Sequence, residues 1–151
     1  MFGEPAVTRN SILLVDDEEA FVRSLCPTLE AEGYEVAVAL GGHEALQRVR
    51  SGSVDVMILD MLMPDVDGLE VLRRTREVSP LTEVVVLTGH GSVSAGLEAM
   101  RLGAFDYLLK PCEPDELLDR IRRALEKKAI EEERGSSCRE SAQKRDLGQR
   151  S

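Results

Sequence analysis

Short apolar runs alternate with longer amphipathic stretches along most of the chain. The apolar runs predict five β-strands, at about residues 12–15, 34–40, 54–59, 84–88 and 105–109. The stretches between them repeat apolar residues at helical spacing and predict five helices, at about residues 19–31, 43–50, 68–78, 92–102 and from 114 onward. The repeated strand–helix order is typical of an α/β fold, and the nearly continuous apolar character of the strands indicates a parallel sheet covered on both faces.

The apolar periodicity ends near residue 130, where it gives way to a polar segment of mixed charge. We therefore predict one domain over residues 10–130, preceded by a lead-in of residues 1–9. Residues 131–151 are expected to extend the last helix and then to form a polar tail, disordered from about residue 135.

Composition narrows the classes of partner. Hydrophobic residues make up 42% of the chain and charged residues 31%, and no apolar run approaches the ~20 residues that cross a bilayer, so we expect a soluble protein with no membrane partner. The net charge of −9 argues against direct binding of nucleic acid, which needs a basic surface. The three cysteines lack the spacing of zinc or redox motifs, and the N-terminus lacks the features of a secretory signal, which together favour the cytoplasm.

Charged residues directly follow three of the predicted strands. Asp16 and Asp17 follow the first strand, Asp60 follows the third and Lys110 follows the fifth. The carboxyl ends of parallel strands form the crevice in which open α/β sheets bind ligands, so these side chains are expected to meet there. Three carboxylates beside one ammonium predict a site for a divalent metal and a phosphoryl group.

Neighbouring carboxylates repel one another unless a cation lies between them, and Mg²⁺ prefers oxygen ligands while keeping several waters. We expect Asp17 and Asp60 to bind Mg²⁺ directly and Asp16 to bind it through water. A carboxylate at a strand end can also simply cap the next helix, and this alternative stays open for Asp16 or Asp17 alone. Aspartate can attack phosphorus to form an acyl phosphate, so Asp60 is the candidate nucleophile and Lys110 the charge that pairs with a phosphoryl oxygen.

Two further side chains lie near the predicted crevice. Thr88 ends the fourth strand, where its hydroxyl can donate to the same phosphoryl group, and Gly89 leaves room for it. Tyr107 lies in the predicted fifth strand, where its ring can turn inward or outward. Taken alone, Thr88 is more often an ordinary β-branched strand residue and Tyr107 more often half-buried packing. Pro111 can hold a cis peptide bond that aims Lys110.

Together these positions resemble the receiver domain of two-component response regulators, and most of all the receivers of nitrogen-regulatory activators. The resemblance covers about residues 10–128. It implies a flavodoxin-like fold, a doubly wound five-stranded parallel (βα)5 sheet in the order 2-1-3-4-5, with Mg²⁺ as cofactor. It also implies that Leu62 offers its backbone carbonyl to the metal, that Thr88 is the switch hydroxyl and that Tyr107 is the rotating aromatic. The residues that carry it are Asp16, Asp17, Asp60, the loop 63–68, Thr88, Lys110 and Pro111.

The same resemblance implies signalling rather than enzymatic turnover of a substrate. Asp60 is expected to accept a phosphoryl group from a sensor histidine kinase or phosphotransfer protein, and the domain to assist only its own Mg²⁺-dependent phosphorylation and dephosphorylation. Phosphorylation is then expected to change the surface of helices 4 and 5 and strand 5, which an unknown output protein reads. Asp106 and Arg120 have the place and sign of a pair across the symmetric homodimer seen in some receivers.

Nitrogen-regulatory activators usually carry an ATPase and a DNA-binding domain after the receiver. Neither follows here, so we expect a stand-alone or truncated receiver. Leu62 and His90 occupy the two variable positions that influence the lifetime of the acyl phosphate in such receivers. An apolar Leu62 cannot position an attacking water, so we expect hydrolysis not to be especially fast; His90 is equally well explained as an exposed loop residue.

Three other classes of function fit parts of the pattern. A phosphatase that resembles the haloacid dehalogenase group needs a second Asp two residues after the nucleophile, where this chain has Leu62. A dinucleotide-binding enzyme needs a complete glycine motif early in the fold, and residues 89–94 lack its third small residue. An interaction module with a vestigial site, which binds partners without phosphorylation, stays open, although the complete acidic pocket argues against it.

Overall fold

Strands and helices alternate five times in the structure, a computed structural model that describes residues 9–89 and 93–149, with side chains as far as residue 134. The strands are β1 (Ser11–Val15), β2 (Glu35–Ala39), β3 (Val56–Asp60), β4 (Glu83–Thr88) and β5 (Asp106–Leu109). The helices are α1 (Glu19–Ala31), α2 (Gly42–Ser51), α3 (Gly68–Val78), α4 (Val93–Arg101) and α5 (Pro114–Gln149).

All five strands are parallel and lie in the order β2-β1-β3-β4-β5, which confirms the predicted flavodoxin-like topology. The register brings the carboxyl ends of the strands level with one another. Asp60 lies beside Leu87 in the β3–β4 ladder, and the amide of Lys110 donates to the Thr88 carbonyl at 2.6 Å. The ends of β1, β3, β4 and β5 therefore share one edge of the sheet.

Both faces of the sheet are covered, because successive residues of each strand point to opposite sides. One buried cluster joins alternate strand residues to α2, α3 and α4, with Leu13, Met57, Leu59 and Val86 among its members. The other joins the intervening strand residues to α1 and α5, with Leu14, Ile58, Leu29 and Ile121 among its members. The central strand β3 lies between these two buried clusters, and all of its residues are buried.

Element boundaries differ little from those predicted. Asp60 belongs to β3, whereas the sequence pattern ends that strand one residue earlier. The ladder explains the difference, since the next amide, that of Met61, still donates to the Leu87 carbonyl at 3.1 Å. Helix α1 runs through Pro27 and keeps the predicted limits.

The C-terminal segment differs from the prediction, which assigned disorder from about residue 135. The backbone of α5 is helical as far as Gln149. Helix formers such as Glu, Lys, Arg and Ala are frequent over residues 124–134, and ion pairs one turn apart support the helix where it leaves the sheet, including Lys127 with Glu131 at 3.3 Å and Lys128 with Glu132. Local propensity thus supports the helix as far as about residue 134, after the apolar periodicity has ended. Within the described part of the chain, no helix is both long enough and apolar enough to cross a membrane.

Candidate functional site

Three carboxylates meet at the carboxyl edge of the sheet. Asp16 follows β1 and Asp60 ends β3, and both residues are buried, with 2% and 5% of their surface exposed. Asp17 is exposed beside them. One carboxylate oxygen from each of the three lies within 4.8 Å of the others. The structure therefore brings together the three acidic residues that the sequence predicts to meet.

Lys110 supplies a positive charge to this cluster from the end of β5. Its Nζ lies 2.6 Å from Asp16 Oδ2, 3.8 Å from Asp60 Oδ1 and 3.9 Å from Glu18 Oε1. The peptide bond between Lys110 and Pro111 is cis, as predicted. Glu18 was not among the predicted site residues; it is the third of four consecutive acidic residues after β1, and the sequence does not distinguish it from its neighbours.

The electrostatics of the cluster favour an added cation. Burial, followed by the negative charge of Asp16, raises the pKa of Asp60 to about 6, although Lys110 and the Leu62 amide act in the opposite direction. Burial acts to lower the pKa of Lys110, but its hydrogen bond to Asp16 and the charges of Asp60, Asp16 and Glu18 outweigh it and raise that pKa. One lysine therefore does not neutralise the carboxylates around it.

The donor set fits Mg²⁺. Carboxylate oxygens are the ligands that this ion takes from proteins, and it retains waters in its remaining positions. Asp17 is open to solvent, so hydrated positions are available, while the excess negative charge at Asp16 and Asp60 supplies the attraction. The residues present are thus suited to holding the metal that the sequence predicts.

Thr88 lies at the end of β4, on the strand next to Asp60. Its residue surface is 1% exposed, and its hydroxyl has no hydrogen-bond partner among the residues that the structure describes. A buried hydroxyl without a partner costs free energy, so this group is available to a ligand atom that enters the crevice. His90, which follows two residues later, lies outside the described residues.

Tyr107 and Leu62 are the remaining predicted site residues that the structure describes. The Tyr107 ring packs closely against α4, because a Cβ placed on Gly96 would be 2.6 Å from Tyr107 Cδ2. The Leu62 side chain is 71% exposed, and its amide donates to Asp60 Oδ1 at 3.3 Å. Leu62 therefore contacts the central carboxylate through its backbone and presents an apolar side chain to solvent.

The pair proposed for a dimer interface forms within one chain. Arg120 Nε lies 2.6 Å from Asp106 Oδ2, although the N–H is not aligned as a hydrogen bond. β5 and α5 are joined by this contact, so the two charges already have partners in the single chain. A pairing across two chains stays a prediction.

One aromatic contact of the site was not predicted. The Nζ of Lys110 lies 4.5 Å from the centre of the Phe21 ring in α1. The helical pattern shows that Phe21 faces inward, but it does not show which strand end the ring reaches. That depends on how α1 is rotated and tilted against the sheet.

Comparisons with known proteins agree with this geometry. The family model described as the response regulator receiver domain matches residues 12–122. The uncharacterized transcriptional regulatory protein YkoG of Bacillus subtilis is 42% identical over 117 residues, covering 78% of this chain and 51% of YkoG. The crystal structure of a CheY-like receiver domain protein from Methanospirillum hungatei has a TM-score of 0.79 at 31% identity, covering 82% of this chain and 99% of that one. The structure of NtrX from Brucella abortus has a TM-score of 0.80 at 30% identity, covering 84% of this chain and 29% of NtrX.

A five-stranded parallel fold with an acidic crevice at its carboxyl edge is the architecture of a signalling receiver domain. The chain belongs to the response regulators of two-component systems, and residues 12–122 match their receiver domain. The predicted likeness to nitrogen-regulatory activators is confirmed by NtrX and AtoC among the similar proteins. The chain spans about half the length of YkoG and under a third of NtrX, so the activities of those whole proteins do not transfer to it directly.

Proposed function

We propose that this receiver accepts a phosphoryl group on Asp60 from a sensor histidine kinase or phosphotransfer protein. The observation that carries the proposal is the cluster itself. Asp60 ends the central strand, is 5% exposed, and lies within 4.8 Å of two further carboxylates while Lys110 is 3.8 Å away. An ionised carboxylate beside a cation site is suited to act as a nucleophile toward phosphorus.

We propose that Asp17 and Asp60 hold Mg²⁺ directly, that Asp16 holds it through water, and that Leu62 contributes its backbone carbonyl. The metal would supply charge neutralisation, so that two anions can approach each other. The hydrogen bond of 2.6 Å from Lys110 to Asp16 supports the indirect role of Asp16, because one of its oxygens is already engaged. The family binds Mg²⁺ in an acidic pocket of this kind.

In the proposed transfer, an Asp60 oxygen forms a bond to phosphorus as the bond from phosphorus to the donor's nitrogen breaks. Lys110 then pairs with a phosphoryl oxygen, for which its Nζ already lies 3.8 Å from Asp60 Oδ1. The work of the protein is positioning and charge stabilisation, as is general for phosphoryl transfer.

We propose that the Thr88 hydroxyl moves to a phosphoryl oxygen and that Tyr107 follows it. Two observations support this proposal. The Thr88 hydroxyl has no hydrogen-bond partner among the described residues, and the Tyr107 ring packs directly against Gly96 of α4, so a movement of the ring would change the surface of that helix. The result would be a population shift at the surface formed by α4, β5 and α5, which an output protein reads. A homodimer formed on phosphorylation at this surface stays a further proposal.

Leu62 supports the proposal that hydrolysis of the acyl phosphate is not especially fast. Its apolar side chain, 71% exposed at the mouth of the site, has no atom that could orient an attacking water. A phosphoprotein lifetime of seconds would contradict this proposal.

The division into residues 10–130 as the receiver and 131–151 as an extension stays a prediction, and so does the cytoplasmic location. A fragment that ends at residue 130 and unfolds at the same midpoint as the whole chain would support the division.

The test of the proposed function is incubation with acetyl phosphate and Mg²⁺, followed by measurement of the intact mass. We expect the gain of one phosphoryl group, abolished by Asp60→Asn and by EDTA. Asp65→Asn, an exposed residue of the following loop, is the matched control and should still gain it. Absence of any gain in the unaltered chain would instead favour the interaction module with a vestigial site.

A further inference from the structure

We propose that Phe21 is a positioning residue for phosphoryl transfer, which holds the ammonium of Lys110 in the crevice through the face of its ring. The proposal rests on the proposed function, because it assigns Phe21 a role in the reaction at Asp60. The distance of 4.5 Å from Lys110 Nζ to the ring centre is well within the range of about 6 Å over which a cation is attracted to an aromatic face.

The partial burial of Lys110 and the packing of the ring favour this attraction. The Lys110 side chain is 16% exposed, and Phe21 packs against the buried cluster between α1, α5 and the sheet. On the core side of the ring, a gap lined by residues that include Leu14, Ile58 and Leu87 leaves no room for a water molecule. Cation–π attraction rises from about 0.5–1 kcal/mol at exposed sites to about 2 kcal/mol or more where water is excluded.

The ring differs from the carboxylates around Lys110 in one respect that matters for transfer. Mg²⁺ would weaken the attraction of Asp16 and Asp60 for the ammonium, and phosphorylation would move the negative charge of Asp60 to the phosphoryl oxygens. The attraction of the Phe21 ring depends on neither event. It can therefore hold Lys110 in place while its hydrogen bond passes from Asp16 Oδ2, 2.6 Å away, to a phosphoryl oxygen.

The position of Phe21 supports this role over packing alone. The residue belongs to the first turn of α1, just after the acidic residues that follow β1, and its ring packs against the buried cluster on one side and lies beside Lys110. The only other lysine–ring contact among the described side chains is that of Lys127 with Phe105, at 5.8 Å, at the opposite end of the sheet from Asp16 and Asp60. That contact provides a matched control.

The experiment compares Phe21→Leu, Phe21→Tyr and the control Phe105→Leu by their rates of phosphorylation with acetyl phosphate. We expect Phe21→Leu to lower the rate at saturating Mg²⁺ by about three- to tenfold, and Phe21→Tyr, which keeps an aromatic face, to restore it. The Mg²⁺ concentration for half-maximal rate should stay unchanged, since the ring supplies no ligand atom to the metal. Phe105→Leu should leave the rate within about twofold, as a substitution remote from the reacting groups.

Two further measurements separate positioning from packing. In a Lys110→Ala background, Phe21→Leu should have no additional effect on the rate; an equal loss in both backgrounds would overturn the proposal. In the unphosphorylated protein, the Lys110 Hε protons should show an upfield NMR shift that Phe21→Leu removes and Phe21→Tyr keeps. Absence of that shift would also overturn it.

If Asp60 accepts no phosphoryl group in any variant, the proposed function fails, and the role of Phe21 in transfer fails with it. The NMR shift still decides whether the ring holds Lys110.

Discussion

Asp60 is a carboxylate that the fold buries without fully neutralising it. Burial and the charge of Asp16 raise its pKa to about 6, from the ordinary value of 3.8. Because the folded value lies above the unfolded one, Asp60 contributes stability at pH below about 4, and that contribution is lost as the pH rises through 6. At neutral pH and without metal, the ionised side chain therefore weakens the fold.

We accordingly expect Asp60→Asn to raise the free energy of unfolding at pH 7 in EDTA by about 1–3 kcal/mol. The gain should shrink toward zero as the pH falls to 4. Urea unfolding at several pH values measures it. A gain that does not depend on pH would contradict the assigned cause.

Gly96 allows the Tyr107 ring to lie directly against α4. An alanine there would bring its Cβ to 2.6 Å from Tyr107 Cδ2, so the ring must move. The higher helix propensity of alanine, worth about 1 kcal/mol, is then opposed by an overpacking cost of about 1–3 kcal/mol. We expect Gly96→Ala to lower the free energy of unfolding by about 1 kcal/mol and to shift the NMR signals of the Tyr107 ring.

The control for this prediction is Ser94→Ala, at an exposed position of the same helix, which should be neutral or slightly stabilising. In a Tyr107→Ala background, Gly96→Ala should become stabilising because the clash is gone. A destabilisation that persists there would show that the glycine is needed for another reason.

At the scale of elements, the start of α2 depends on a residue far away in the sequence. Its N-cap, Gly41, has no side chain with which to accept a hydrogen bond, and the carboxylate of Asp65 takes that place. Asp65 Oδ1 accepts from the amide of Gly42 at 3.0 Å and Oδ2 from that of His43 at 3.2 Å. These bonds tie the loop after β3, which follows Asp60, to the neighbouring helix.

We expect Asp65→Ala to lower the free energy of unfolding by about 1 kcal/mol, the usual value of an N-terminal cap, and Asp65→Asn to lower it less. The hydrogen bonds from the Gly42 and His43 amides lower the pKa of Asp65. Its contribution is therefore present above the unfolded pKa and is lost as the pH falls through the folded one. Denaturation at pH 7 and pH 3 checks both parts, and equal losses at the two values would contradict the assignment.

The opposite end of the sheet holds another buried carboxylate, Glu83, at the start of β4. It is 0% exposed, and its Oε2 lies 3.3 Å from Lys127 Nζ of α5. Burial, followed by a hydrogen bond with Glu131, raises the pKa of Glu83, whereas the pKa of Glu131 is lowered, since its hydrogen bonds to Glu83 and Lys127 outweigh the effect of burial. The two acids thus respond to pH in opposite directions.

Glu83→Gln should therefore gain stability relative to the unaltered protein as the pH rises from 4 to 8, because the stability that protonated Glu83 contributes is lost as the pH rises through its folded pKa. Glu131→Gln should lose stability over the same range. Urea unfolding at each pH measures both differences. Parallel trends for the two variants would contradict this account of the β4–α5 contact.

For the whole molecule, the features that the sequence predicts are those that depend on repeated pattern. Five alternations of strand and helix determine a parallel sheet, and a parallel sheet brings Asp16, Asp60 and Lys110 to one edge. Contacts that depend on exact placement were not predictable, such as the Phe21 ring beside Lys110 and the Asp65 cap on α2. The backbone helix beyond residue 135 was not predicted, because residues 135–138 are weak helix formers without apolar periodicity.

The whole molecule also links metal binding to stability, because a ligand that binds only the folded state stabilises it by mass action. The carboxylates that would hold Mg²⁺ come from β1 and β3 and meet only in the folded chain. Above the dissociation constant, each tenfold rise in free Mg²⁺ should raise the free energy of unfolding by about 1.4 kcal/mol, and EDTA should remove the whole increment. Thermal unfolding over a series of Mg²⁺ concentrations measures it.

Asp17→Asn should abolish most of this increment, since it removes a proposed direct ligand that is exposed and contributes little to packing. The matched control is Lys128→Ala, which breaks the 3.0 Å ion pair with Asp55 at the far end of the sheet. That variant should be less stable at every Mg²⁺ concentration yet keep the full increment, because distant substitutions act additively. An increment that survives Asp17→Asn, or that is lost in the Lys128 variant, would mean that the metal stabilises the protein from somewhere other than the carboxyl edge of the sheet.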